Sequence, residues 1–274
     1  MTLLDASTDL ELQPAADVLA QMLHQAQRLG IEIMVVGATA RDILIRSYVG
    51  SAPSRATADI DIGLAVSTWA DVDRFTGPLE QISGSPHKFR VADVEVDVIP
   101  FGEIESTDRT ITWSNDHNMD VFGFREAFEA AVPVKIPGGA VVAVASLPAQ
   151  SLLKLFAWLD RRFQDRRDAI DLRTILLSYS EGPYFDQLYA DHFPLLAHYD
   201  FDPLLAGAAR MGSEARAIVG TTDRRVVAKH IMLSEELFDA LISDMGGRIE
   251  DNRPLVSAYR DGLGEPAESP VGLD

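Results

Sequence analysis

The sequence predicts an α+β chain. Strands and helices interleave up to about residue 146, and helices alone follow. Two observations carry this prediction. Short apolar runs bounded by Gly, Pro or small residues alternate with stretches of three-and-four apolar spacing as far as Ala145. From Pro148 only the helical spacing persists, as in SLLKLFAWLDRRF and DAIDLRTILLSY. The break near Ser146-Leu147-Pro148 separates an N-terminal domain, 1–146, from a helical domain, 147–250. The segment 251–274, rich in Pro, Gly, Glu and Asp, reads as a flexible tail.

Each element has its own signal. Residues 14–29 form a helix that opens near Pro14 and stops at Gly30. Residues 31–36 are a short apolar run, hence a buried strand, and Gly37 turns the chain into a helix over 39–48. Residues 50–56 are small, polar and Pro-containing, a loop. Residues 59–66 read as a strand, followed by a helix over 69–82 with Ser67 or Thr68 as its N-cap. Residues 87–91 and 94–100 form a hairpin through Ala92-Asp93, and 132–136 and 140–145 form another through Pro137-Gly138-Gly139. Residues 102–120 give no clear pattern.

Composition bounds the function. The chain has 274 residues, 47% hydrophobic and 24% charged, ordinary values for a folded protein. Its 42 acidic and 24 basic residues leave a net charge of -18, which argues against non-specific binding to DNA or to an anionic membrane. Cysteine is absent, so there is no disulfide framework, thiolate metal site or Cys nucleophile. The first residues lack a basic and then apolar leader, and the apolar run 140–147 is too short to span a bilayer, so the expectation is a cytoplasmic protein.

The chemistry begins at Ala58-Asp59-Ile60-Asp61-Ile62. On a strand Asp59 and Asp61 share a face, with carboxylates roughly 6–7 Å apart at the backbone. Two such charges repel by about 3 kcal/mol at an effective dielectric near 20, so they call for a cation. Mg²⁺ suits them, because it takes carboxylate oxygens and keeps sites for phosphates. The competing reading is a strand end solvated by water. In Val94-Glu95-Val96-Asp97-Val98-Ile99-Pro100 the valines face one way and Glu95 and Asp97 the other, so a strand lying beside the first adds Asp97 to the cluster. An amphipathic hairpin with a polar outer face explains the same pattern. Val35-Val36-Gly37-Ala38-Thr39-Ala40-Arg41-Asp42 is a strand running through small residues into a helix. That turn lets backbone N–H groups approach phosphate oxygens, or it is a tight turn capped by Thr39.

The order of these pieces resembles the nucleotidyltransferase superfamily with the polymerase-β-like palm. That superfamily is marked by an hG[G/S] turn, an h[DE]h[DE]h strand and a later h[DE]h strand. Ala38 stands where Gly or Ser is usual. VVGATARDILI also looks like the turn of CCA-adding enzymes and poly(A) polymerases, which lack the third carboxylate. The branch most similar is the AbiEii-like nucleotidyltransferases, including MenT-type toxins, whose helical half carries a Lys and then a basic-Asp-x-x-Asp-Leu segment. Leu153-Lys154-Leu155 and Arg167-Asp168-Ala169-Ile170-Asp171-Leu172 match it. The resemblance spans about residues 31–175.

The resemblance implies a palm, a mixed sheet with flanking helices, followed by a helical domain. It implies transfer of a nucleoside monophosphate from an NTP such as ATP to a hydroxyl. Asp59, Asp61 and Asp97 would hold two Mg²⁺, or Mn²⁺, with Asp97 also as general base. Gly37, Ala38, Thr39 and Arg41 would cradle phosphates, and Lys154 would offset transition-state charge. Asp168 and Asp171 would orient Lys154 or bind the base. The toxin-like branch implies a tRNA 3′ end as acceptor and an antitoxin protein as partner. A protein or small-molecule acceptor, or a non-catalytic nucleotide-binding module, are the alternatives. Lys88 and Arg90 share a strand face that can reach a triphosphate; an ion pair with Glu95 is the competing account. Arg161, Arg162, Arg166 and Arg167 are either an acceptor-phosphate site or a solvated face balancing acids. Trp113 and Trp158 stack a base or belong to the core.

Overall fold

The computed structural model describes residues 3–50, 59–220 and 234–264. The expected loop at 50–56 lies outside them except for Gly50, as do residues 265–274 of the expected tail. The chain divides into two compact units, Met1–Ser146 and Leu147–Asp274.

The first unit is built on a mixed sheet. Its strands are β1 (Leu4–Asp5), β2 (Glu32–Val36), β3 (Asp59–Val66), β4 (Glu80–Gln81), β5 (Lys88–Val91), β6 (Val94–Gly102), β9 (Val132–Lys135) and β10 (Val141–Val144). They lie in the order β1-β9-β10-β2-β3-β6-β5-β4. A separate two-stranded ribbon, β7 (Thr110–Thr112) with β8 (Asn118–Asp120), fills the stretch that the sequence left unread. The helices are α1 (Gln13–Leu29), α2 (Gly37–Leu44), α3 (Trp69–Thr76) and α4 (Phe124–Glu129).

Helix α1 has Pro14 in its first turn and ends at Gly30, whose φ of 67° is the left-handed cap conformation. Its apolar stripe, Val18, Leu19, Met22 and Ala26, is buried, and each large side chain removed from water contributes about 2 kcal/mol. Helix α2 gives way at Ile45–Val49 to a π-helical turn closed by Gly50. Helix α3 is opened by a capping box between Thr68 and Asp71. It stops at Thr76 rather than near 82, because Gly77-Pro78 cannot continue it. The β5–β6 hairpin turns through Ala92 and Asp93, both with positive φ (48° and 65°), as a tight two-residue hairpin requires.

The second unit is helical: α5 (Leu147–Arg161), α6 (Arg167–Ser178), α7 (Gly182–Ala190), α8 (Phe193–His198), α9 (Pro203–Ile218), α10 (Glu235–Asp244) and α11 (Ile249–Gly264). Helix α11 corrects the expected tail. Residues 251–264 are helical because Asn252, Leu255, Val256, Ala258, Tyr259 and Leu263 are buried. The Tyr259 hydroxyl lies 2.8 Å from Ser151 Oγ on α5. Gly212 and Gly262 let α9 and α11 approach closely. A Cβ at Gly262 would lie 3.0 Å from the Ala209 carbonyl carbon, and one at Gly212 would lie 2.9 Å from the Leu263 nitrogen.

Candidate active site

Strands β3 and β6 run parallel and in register, pairing Asp59 with Glu95 and Asp61 with Asp97. Side chains alternate along a strand and neighbours across a ladder share a face. Four carboxylates therefore occupy one face, while Ile60, Ile62, Val96 and Val98 are buried on the other. The sequence expectation that Asp97 joins Asp59 and Asp61 depended on this adjacency, and the sheet supplies it. Glu95 is the fourth carboxylate; the sequence reading placed it on the face of Asp97 and as a counter-ion to Lys88 or Arg90, and not among the metal ligands.

Strand β5, antiparallel to β6, sets Lys88 opposite Asp97 and Arg90 opposite Glu95. Lys88 Nζ donates to Glu95 and to both Asp97 oxygens, at 3.0 and 3.1 Å. Arg90 is exposed. Burial pushes the Asp97 carboxyl above its ordinary range, although the Lys88 ammonium pulls it back. Burial also works against the Lys88 ammonium, but its hydrogen bonds to Glu95 and Asp97 outweigh that and raise its pKa. Lys88→Met is therefore expected to move Asp97 further upward, read from its carboxyl carbon in an NMR pH titration. A downward movement would contradict this charge balance.

Gly37 begins α2 directly beside this face, after Val36, which pairs with Asp61. Its φ of 67° favours glycine, and a Cβ there would lie 2.7 Å from Asp61 Cγ. Glycine is thus what allows the turn and the Asp61 carboxylate to share the space. Thr39 donates its hydroxyl to the Asp59 carbonyl at 3.1 Å, so it fastens α2 to β3. Ala38 and Thr39 are buried. Arg41, expected at the phosphates, is buried instead, with Nε and Nη2 on the Asp42 carboxylate at 2.8 and 2.7 Å. One turn into α2, it lies on the side that the protein covers.

Among the described residues, no three His, Asp or Glu side chains converge into a ready metal-binding cluster. Asp59, Asp61 and Asp97 share a face, and Lys88 already satisfies the Asp97 oxygens. The donor set is carboxylate only, the hard-oxygen chemistry that suits Mg²⁺.

In the second unit Lys154 on α5 meets Asp168 and Asp171 on α6, with Nζ 3.0 Å from one and 2.7 Å from the other. Arg161 grips Asp168 through Nε and Nη2 at 2.7 and 3.1 Å. The i, i+3 spacing of the two aspartates puts both on the face toward α5. Burial pushes the Asp168 carboxyl up, but Arg161 and Lys154 outweigh it and hold the carboxyl below its ordinary value. A depressed folded-state value stabilises the fold above the unfolded carboxylate pKa. That contribution is lost as pH falls below about 4 and through the lower folded value. Asp168→Asn is expected to lower stability by about 1–3 kcal/mol at pH 7 and to flatten the acid limb of the stability curve. Urea titrations at pH 7 and pH 3.5 measure both effects, and an unchanged acid limb would contradict this assignment.

The remaining candidates fall to their structural readings. Arg166 pairs with Asp244 at 3.3 Å and Arg167 with Asp165 at 2.6 Å, while Arg162 lies over the Phe163 ring. The arginine cluster is thus largely occupied with neutralising its own neighbourhood. Trp158 is fully buried and donates its indole N–H to Asp244 at 3.0 Å. Trp113 packs with Phe101, Ile111 and Val121. A buried network that the sequence did not disclose links Arg109 to Glu105 and Glu126.

The chain matches the family described as nucleotidyl transferase AbiEii toxin, type IV TA system, over residues 21–244. No curated protein matches it. Among solved structures it is similar to the antibiotic-resistance factor ANT(2'')-Ia, at 12% identity and TM-score 0.38, covering 69% of this chain and 97% of that one. It is also similar to an antigenic nucleotidyltransferase-like protein from Paracoccidioides brasiliensis, at 19% identity and TM-score 0.40, covering 73% and 94%. A CCA-adding enzyme of Thermotoga maritima, complexed with tRNA, is similar over 94% of this chain and 82% of its own, at 11% identity and TM-score 0.25. The family match covers well over half of the chain, so this protein belongs to the AbiEii nucleotidyltransferase toxin family and is a nucleotidyltransferase.

Proposed function

We propose that the chain transfers a nucleoside monophosphate from an NTP to the 3′ hydroxyl of an RNA, tRNA first among candidates, in a Mg²⁺-dependent reaction. The observation that carries this is the β3–β6 register, which sets Asp61 beside Asp97 next to the Gly37 turn. Asp59, Asp61 and Asp97 would hold two Mg²⁺, which when bound neutralise phosphate charge during an in-line displacement. The acceptor oxygen forms a bond to the α-phosphorus, and the bond to the leaving pyrophosphate breaks, the pyrophosphate taking the electron pair. The hydroxyl proton passes to Asp97, which the β3–β6 register sets beside Asp61 at the reacting centre. The N–H groups of the first turn of α2, which have no partner within the helix, would offer anion contacts for the β- and γ-phosphates. Lys88 leaves Asp97 for the triphosphate. The resemblance gives Lys154 the task of offsetting triphosphate charge, with Asp168 and Asp171 holding it.

The match to a family of toxins of toxin-antitoxin systems supports a toxic activity answered by an antitoxin; the RNA acceptor and a cytoplasmic site of action are part of this proposal. The net charge of -18 favours a second reading, in which a protein or small-molecule hydroxyl accepts the nucleotide. The protein is incubated with Mg²⁺ and each of four α-³²P NTPs, with total tRNA, with a protein extract, or with neither. Label on tRNA is the expected result, absent with Asp61→Asn. Label on protein moves the acceptor to the second reading. Failure to bind any NTP in a Mg²⁺-dependent way overturns the assignment of the site. Growth arrest on expression, relieved by Asp61→Asn, identifies toxin action.

A further inference from the structure

Helices α7, α8 and α9 pack around Leu188, Leu196 and Ala206. These helices and the turn between α8 and α9 carry Phe185, Tyr189, Phe193 and Phe201, exposed by 38%, 47%, 51% and 53%, with Leu204 at 44%. Two ring pairs form within the set. Phe185 meets Tyr189 at 5.0 Å between centroids, and Phe193 meets Phe201 edge-on at 5.8 Å. Clustered exposed aromatics of this kind mark interaction surfaces.

The exposed charge between these rings in the sequence is acidic, while the buried Arg210, paired with Glu214, reaches α7 from beneath at Tyr184 and Gln187. Between Arg173 and Arg210 the sequence contains no Lys or Arg, and it contains Glu181, Asp186, Asp191, Asp200 and Asp202. Asp202 caps α9, while Glu181, Asp186, Asp191 and Asp200 are exposed. Several other rings of the second unit lie under one of the chain's own arginines. Arg162 lies over Phe163 at 4.5 Å, Arg260 over Phe238 at 4.1 Å and Arg210 over Tyr179 at 5.2 Å. Among the described residues, none of the four rings of this patch has a cation over it. Aromatic faces attract guanidinium groups, and the flanking carboxylates draw them from a distance.

We propose that this corner of the second unit is a docking surface for an arginine-rich polypeptide. Its guanidinium groups lie on the Phe185, Tyr189, Phe193 and Phe201 rings, and Asp186, Asp191 and Asp200 pair with them. The proposal is independent of the nucleotidyl-transfer site, none of whose residues lies in the patch.

The test is fluorescence anisotropy of a labelled nona-arginine peptide with the full chain at 150 mM salt. Nona-lysine serves for comparison, since the planar guanidinium stacks on rings where an ammonium does not. The Phe185→Ala/Tyr189→Ala/Phe193→Ala variant is expected to bind nona-arginine about tenfold more weakly, with its melting temperature unchanged. Phe201 is left in place because its backbone φ is +63°. Should Phe193→Ala disturb the fold, the Phe185→Ala/Tyr189→Ala pair alone is expected to weaken binding several-fold. Nona-lysine is expected to bind more weakly than nona-arginine to the wild type only. Equal affinity of wild type and variant for nona-arginine would overturn the proposal, by locating binding on the general acidic surface. So would no binding at all, or a wild-type dimer that the variant breaks in sedimentation, since the rings would then be covered by a second copy.

Discussion

Asp61→Asn is expected to lower nucleotidyl transfer by about two to three orders of magnitude while leaving the fold intact, the scale of losing one preorganised electrostatic partner of the transition state. Asp61 is the carboxylate on which the arrangement converges. It pairs with Val36 on one side and Asp97 on the other, and the Gly37 turn leaves it just enough room. Asparagine keeps its shape and removes its charge. Glu95→Gln provides the contrast. Glu95 stands on the same face but is 40% exposed and serves Lys88, so its loss is expected to cost less than about tenfold, the span of a surface ion pair of up to 1 kcal/mol. Steady-state rates with a labelled NTP, beside far-ultraviolet circular dichroism, decide between them. Equal losses for both variants would deny Asp61 its special place.

Gly37→Ala should have the largest effect on stability, about 2–5 kcal/mol, and should also abolish transfer. Two costs add. A residue with a Cβ at a φ of 67° loses about 1–2 kcal/mol. The new methyl also collides with the Asp61 side chain, and overpacking of this kind costs about 1–3 kcal/mol. Gly30→Ala separates the two terms. Gly30 has the same φ of 67°, but no atom lies within 4 Å of where its Cβ would stand. That variant should lose only the backbone contribution and keep its activity. Urea denaturation of both variants gives the difference. If Gly37→Ala were no less stable than Gly30→Ala, the turn would not be moulded around Asp61.

The parts of the site that were legible in the sequence are those set by local alternation. Asp59, Asp61 and Asp97 alternate with apolar residues along their strands, so their shared face follows once the two strands are neighbours. The hairpin at Ala92-Asp93 was equally readable, because apolar alternation resumes on both sides of it. What could not be read depends on partners distant in sequence. The Lys88–Glu95 pair is one of the sequence readings, but its extension to Asp97 needs the register of β5 with β6, and the burial of Arg41 needs the packing of α2. Helix α11 was hidden by composition. Asp251, Asn252 and Pro254 suggest a loose tail, yet Leu255, Val256, Tyr259 and Leu263 fall on one face and are drawn into the core by α9. The ribbon β7–β8 is too short, at three residues a strand, to show a period. The fate of the arginine cluster turned on Asp165, Asp168 and Asp244, of which the last is remote in the chain.

Nucleotidyl transfer by this protein requires that the carboxylates of β3 and β6 form the metal and nucleotide centre. This requirement is tested most directly by a crystal structure grown with Mn²⁺ and a non-hydrolysable NTP. Anomalous density between Asp61 and Asp97, with the triphosphate at residues 37–39 and Lys88 turned from Asp97 toward it, is the predicted result. Manganese bound elsewhere, with Lys88 still seated on Asp97 and Glu95, would contradict it.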